Sequence, residues 1–245
     1  MLTMGLVLFL TDGKGTDIDM KITWLGQAGL LFETDNIKIM IDPYFSNICE
    51  KYNPDLRRRT SVRKEFTEIK PDVLVLTHNH LDHTDPETLP YFINDKTKVK
   101  VILSENAHEF VKTLGGRTND YIVFKDGTEW TEAGVRFSGI KAYHSENTAF
   151  GIIIDDGEHK YYVTGDTLYN SNILKSLPDD IYAVFLPING FGNNMNMTDA
   201  ARFAKACCAK YTVPIHFGMF DSIDPKSFAA DNKIIPEAYT EIAFD

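Results

Sequence analysis

Leu76-Thr77-His78-Asn79-His80-Leu81-Asp82-His83 is the stretch on which the reading of this chain turns. His78, His80, Asp82 and His83 fall within six positions, and they include three of the chain's seven histidines. Immediately upstream, Asp-Val-Leu-Val-Leu at 72–76 is a near-continuous apolar run, the pattern of a strand covered on both faces. Imidazole and carboxylate are ligands for zinc and related divalent ions. A rigid strand end is a good place to hold them, because coordination tolerates errors of only about 0.2 Å. A histidine-rich surface loop is the competing reading, and the density of ligand types directly after a buried strand weighs against it.

Reading outward, short apolar or β-branched runs at 21–25, 29–33 and 37–41 predict strands, separated by turn residues such as Asp35-Asn36 and closed by Asp42-Pro43. Residues 44–70 are polar and irregular, with helical capacity at 61–68. Asp85-Pro86-Glu87 has the form of an N-cap, a proline at the first helical position and an acidic first turn. A strand is expected at 99–103, followed by a helix that Ser104 caps and Gly115-Gly116 stops near Leu114. Further strands are expected at 120–124, 128–131, 134–142, 148–154 and 159–164, the last two joined by Asp155-Asp156-Gly157-Glu158 as a hairpin. Strands at 182–186 and 211–215 flank an alanine-rich helical pattern at 198–210, and Asp224-Pro225 opens one more short helix. Two clusters of strands, each accompanied by helices, predict an α/β chain with two sheets packed together and helices outside. No linker divides it, so 20–245 reads as a single domain preceded by a peripheral extension at 1–19. The greasy stretch at 6–10 lacks the basic flank of a secretory signal.

The formal charge of −10 and pI near 5.2 argue against a nucleic-acid partner. One basic run breaks the acidity, Arg57-Arg58-Arg59 with Arg63 and Lys64 behind it. It reads either as a solvated face or as an anion clamp. Cys49, Cys207 and Cys208 are too few and too badly spaced for a disulfide scaffold, which suits a reducing cytoplasm. No apolar run reaches the ~20 residues of a membrane-spanning helix, so no membrane partner is expected. A homo-oligomer is compatible with the composition.

The strand-ending H-x-H-x-D-H resembles the signature of the metallo-β-lactamase superfamily. That resemblance implies a four-layer αββα sandwich of two mixed β-sheets packed face to face. It also implies a further His, an Asp and a last His, each at a strand end. His144, Asp166 and His216 occur in that order after the strands at 134–142, 161–164 and 211–215. Carried over, His78, His80 and His144 hold one metal; Asp82, His83 and His216 hold a second; Asp166 bridges them; and Asp42 supports the site without binding metal. Gly165, beside the bridge, lets the backbone approach closely. The implied cofactors are two divalent ions, zinc or manganese ahead of iron. The implied chemistry is hydrolysis by a hydroxide shared between them, with Asp82 or Asp166 moving a proton. Two dications against two carboxylates leave the ligand shell near +2, which favours a small anionic substrate.

Secondary motifs narrow the resemblance. Trp24-Leu25-Gly26-Gln27-Ala28-Gly29, Ile41-Asp42-Pro43, His-Leu-Asp-His-Thr-Asp-Pro-Glu-Thr-Leu at 80–89 and Leu-Pro-Ile-Asn-Gly at 186–190 resemble the L-ascorbate-6-phosphate lactonase branch. The implied substrate is a small sugar lactone, phosphorylated or not, or a related ester. Candidate phosphate donors are Arg57, Arg58, Arg59, Asn189, Asn193 and Asn194. The asparagine-rich loop 189–196 lies between a strand and a helix, a natural place for substrate contacts, although its residues are equally good turn formers. A phosphodiesterase of the same fold, a redox di-iron protein and a metal-binding protein without turnover are the alternatives. His108 and His159 are expected to be ordinary helix and hairpin residues.

Overall fold

In the computed structural model, which describes residues 20–244, the strand before the histidine cluster is buried on both faces. Val73 and Val75 point into one apolar core, and Leu74 and Leu76 point into another. This alternation is the period of an extended chain, and it repeats along the first sheet. That sheet contains β1 (Lys21–Gly26), β2 (Gly29–Glu33), β3 (Lys38–Ile41), β4 (Val73–Leu76), β5 (Lys100–Leu103) and β6 (Asp120–Val123). The second contains β7 (Glu129–Glu132), β8 (Val135–Lys141), β9 (Phe150–Asp155), β10 (Lys160–Val163), β11 (Ile181–Pro187) and β12 (Tyr211–Ile215), while β13 (Thr240–Glu241) returns to pair with β1. The orders are β13-β1-β2-β3-β4-β5-β6 and β12-β11-β10-β9-β8-β7. Each sheet begins antiparallel and turns parallel, at β3–β4 in the first and at β10–β11 in the second. Both are therefore mixed, as expected.

The larger core lies between the sheets, where Phe32 meets Tyr161 and Phe185 edge-on at ring separations of 5.7 Å. The smaller core covers the outer face of the first sheet, beneath Ala107 and Val111 of α2 (Glu105–Val111). On the outer face of the second sheet lie α3 (Ser171–Ser176) and α4 (Met197–Cys207); α1 (Ile48–Tyr52) sits beside the histidine loop. α4 buries Ala200, Phe203, Ala204 and Cys207, one face of a helix, and Asn196 caps it by accepting from the amides of Thr198 and Asp199. The four layers match the predicted sandwich.

Several local expectations needed correction. No α-helix follows Asp85-Pro86; the segment forms turns and a 3-10 stretch at Leu89–Tyr91. Pro90 has no N–H to give the carbonyl of Pro86, so the pattern cannot propagate, and Asp85 spends its carboxylate on Glu87 N and the Thr88 hydroxyl. The helix capped by Ser104 ends at Val111 and tightens to 3-10 geometry over Lys112–Leu114. The 61–68 and Asp224-Pro225 regions likewise give only 3-10 turns, at Lys64–Thr67 and Pro225–Ser227. The proposed extension at 1–19 lies outside the described residues. Among the described residues no helix is long and apolar enough to cross a membrane, and the three cysteines are unpaired.

The fold brings the strand ends together. Asp42 follows β3, Thr77–His83 follow β4, Asp166 follows β10 and His216 follows β12, so the carboxyl ends of the parallel strands share one edge of the sandwich. This is where open α/β sheets place their sites.

Candidate metal centre

His78, His80 and His144 converge first. Nε2 of His78 and Nε2 of His144 lie 3.0 and 3.1 Å from Nδ1 of His80. The far ring nitrogens identify which nitrogens carry protons. The Thr77 hydroxyl donates to Asp42 Oδ2 (2.6 Å), so it accepts from His78 Nδ1 (3.1 Å); His144 Nδ1 donates to the Asn193 carbonyl (3.3 Å). Both Nε2 atoms therefore present lone pairs. Burial, reinforced by the charge of His83, holds the His78 imidazole well below its ordinary pKa, and burial also lowers that of His144. Ring nitrogens about 3 Å apart are what a single ion with metal–nitrogen bonds of roughly 2.0–2.1 Å requires.

The second group is Asp82, His83 and His216. His216 Nε2 lies 3.2 Å from Asp82 Oδ2, and His83 Nε2 lies 3.7 Å from the same oxygen. His83 donates from Nδ1 to Asp42 Oδ2 at 2.8 Å, which leaves its buried Nε2 without a hydrogen-bond partner. A buried ring nitrogen without a partner needs an explanation, and a cation that displaces its proton supplies one. Asp166 stands between the groups: Oδ1 is 3.3 Å from His83 Nε2, and Oδ2 is 3.3 Å from His216 Nε2 and 4.0 Å from His78 Nε2. The donor set and its hydrogen-bonded back side therefore fit divalent metal.

Charge is balanced in this cluster by protons. Burial opposes a charge on His83 and His216, but the Asp166 and Asp82 carboxylates outweigh it, with Asp42 also acting on His83. His83 is held well above the usual imidazole value, and His216 is pushed up to about 10. Burial would raise the two carboxylates, yet His83 and His216 pull both well below their ordinary range. Both shifts favour the protonated imidazoles in the metal-free cluster, so a metal must displace protons there. Loading with Zn²⁺ is thus expected to release protons and to tighten as pH rises. Calorimetry in two buffers of different ionisation enthalpy measures this; a buffer-independent heat would contradict it.

Residues 21–216 match a family model described as a beta-lactamase superfamily domain. A UPF0173 metal-dependent hydrolase of Staphylococcus aureus is 30% identical over 232 residues, covering 85% of this chain and 91% of that protein. The chain belongs to the UPF0173 metal-dependent hydrolase family. Igni18, a metallo hydrolase of the archaeon Ignicoccus hospitalis, shares its fold with a TM-score of 0.73 at 21% identity, over 92% of this chain and 98% of that one. An isothiocyanate hydrolase from Delia radicum gut bacteria does so with a TM-score of 0.72 at 20% identity, over 92% and 99%.

In this UPF0173 hydrolase neighbouring residues hold the candidate ligands from behind. Asp42 accepts from Thr77 N (2.8 Å), the Thr77 hydroxyl and His83 Nδ1, so one carboxylate steadies candidate ligands of both groups, His83 directly and His78 through Thr77. Asn194 donates to Asp166 Oδ2 at 2.8 Å, and the Asn193 carbonyl receives His144. These two asparagines, expected to face substrate, are brought against metal-ligand candidates. Asn189 is placed on the same loop, bridged to Asn196, with its side-chain oxygen buried and unpartnered. Glu146 accepts from Asn79 N at 2.5 Å, tying the His144 loop to the His78–His80 turn.

Gly165 has φ of +59°, and a Cβ there would lie 2.9 Å from the Phe150 carbonyl, which is the close approach expected of it. Four of the seven non-glycine residues with positive φ among the described residues are Gln27, Asp42, Asn193 and His216, all touching this centre. Strain of that kind persists only where the surroundings over-determine it.

The arginine run divides. Arg58 is spent on the scaffold, donating to the carbonyls of Tyr44 and Thr60 and to the Tyr239 hydroxyl. Arg57 and Arg59 remain exposed, and the Arg59 amide donates to the Met219 carbonyl (3.0 Å), which ties this loop to the one bearing His216. His108 and His159 pack against Tyr121 and Tyr182, as ordinary residues do. Gln27, Thr77 and Glu146 are the residues that sequence reasoning passed over. For Gln27 a signal existed: a polar residue held among small ones in Gly26-Gln27-Ala28-Gly29.

Proposed function

We propose that this UPF0173 hydrolase binds two divalent ions, one on His78, His80 and His144 and one on Asp82, His83 and His216, with Asp166 shared, and opens a small anionic lactone or related ester. The observation that carries the reading is the position of Asp166, whose carboxylate faces His78, His83 and His216 at once. Bound divalent ions supply Lewis acidity and an activated water at neutral pH.

The protein's own groups supply the rest. Asp42, Asn193 and Asn194 hold the ligands in one orientation, so little reorganisation accompanies reaction. Asp82 is the more accessible carboxylate, 18% exposed against 6% for Asp166, and it is assigned the proton transfer from attacking water to the departing ring oxygen. Arg57 and Arg59, exposed on a loop tied to that of His216, are assigned the steering of a phosphorylated or carboxylated substrate. The sparse unpaired cysteines favour a cytoplasmic setting.

Ring opening of L-ascorbate 6-phosphate by protein stripped of metal and reloaded with Mn²⁺ or Zn²⁺ tests the substrate class. A metal-dependent rate that His78→Ala abolishes is expected. Absence of a rate with either metal removes this substrate and moves the search to unphosphorylated lactones and phosphodiesters.

A further inference from the structure

Gln27 sits at the irregular end of β1, where the pairing with β2 shifts register between Trp24 and Gly26. It is 2% exposed, and its φ is +51°. A long polar side chain in so costly a position needs a reason. Its backbone carbonyl accepts from the Trp24 indole N–H at 3.0 Å and from the His216 amide at 2.8 Å. Its side-chain Nε2 donates to Asp82 Oδ2 at 2.8 Å and lies 3.1 Å from His216 Nε2. A carboxylate only accepts, so the amide nitrogen, not the oxygen, must face Asp82.

We infer that Gln27 is a positioning residue that builds the second metal position, the one formed by Asp82, His83 and His216, and sets its affinity separately from that of the three-histidine position. This rests on the two-ion reading above. Through main chain and side chain together, Gln27 fixes two of the three ligands of that position. The hydrogen bonds of His78, His80 and His144 run instead to Thr77, to one another and to Asn193. By occupying Asp82 Oδ2, the amide also restricts how the carboxylate presents its oxygens. The two positions thus differ in their support: one leans on loops after β4 and β8, the other on a strained turn after β1.

The test is stepwise loading of the metal-stripped protein with Zn²⁺ against a chromophoric chelator, giving two binding constants. Gln27→Met keeps the length and the main-chain bonds but removes the donor. It is expected to weaken one constant by roughly 10–100-fold, the usual effect of losing an outer ligand contact, and to leave the other unchanged. Trp24→Phe, which removes only the indole donor to the Gln27 carbonyl, is expected to shift the same constant by less. It keeps the test open should Gln27→Met fold poorly. In both variants, titration with Co²⁺ should show one absorption signature filling at higher metal concentration with the other unchanged. Two unchanged constants, or two constants falling together, overturn the role of Gln27 while leaving two ions in place. Wild-type protein that takes up a single ion overturns the two-ion reading and this inference with it.

Discussion

Asp166→Ala is expected to lose at least one metal ion and nearly all hydrolysis. Among the described residues the carboxylate is the one group that reaches His78, His83 and His216 together, so its removal takes away the group shared by the two candidate ligand clusters. It also leaves two buried imidazoles with one fewer counter-charge, since Asp166 is the strongest of the charges that favour the protonated forms of His83 and His216. Loss of the proposed shared ligand should exceed the roughly 10–100-fold fall in metal affinity caused by losing an outer contact. Metal content after gel filtration and the rate on any substrate found for the wild type measure both effects. Full metal content with full activity would sink the shared-carboxylate reading.

Asp42→Ala is expected to be the most damaging substitution that removes no ligand. Asp42 is 1% exposed and accepts three hydrogen bonds, two from Thr77 and one from His83. Removing one member of a buried charge pair costs roughly 3–5 kcal/mol, which for a chain of this size lowers the melting temperature on the order of 10 °C. Asp42→Asn separates stability from ligand orientation. Its oxygen can still accept from Thr77 N, but its NH₂ meets His83 Nδ1, forcing that nitrogen to accept and the proton onto Nε2. His83 then has no lone pair to offer, so metal binding falls while the fold survives. Thermal melts and metal content of the two variants check this; an Asn variant that binds metal as tightly as wild type would contradict the tautomer argument.

Much of this is legible in the sequence. The strand at 72–76 followed by H-x-H-x-D-H decided the fold because a buried run and a ligand cluster leave distinct marks in sequence. His144, Asp166 and His216 followed because the same resemblance demands a ligand type at each later strand end. The supporting residues were harder. The amide of Gln27 reaches Asp82, 55 positions away, and His216, 189 positions away, through a left-handed turn that side-chain pattern does not encode. Asn193 and Asn194 were visible as a polar loop, but whether such a loop turns toward substrate or toward the ligands behind it depends on tertiary packing. Asp85-Pro86-Glu87 carried every mark of a helix start and still failed, because Pro90 breaks the hydrogen-bond ladder one turn on. Local signals begin an element; only the following turn decides whether it continues.

The most direct test of the central claim is anomalous scattering from crystals of the zinc-loaded protein. Two peaks are expected, one among His78, His80 and His144 and one among Asp82, His83 and His216, with Asp166 in contact with both. A single peak at full loading, or two peaks that Asp166 does not join, would contradict it.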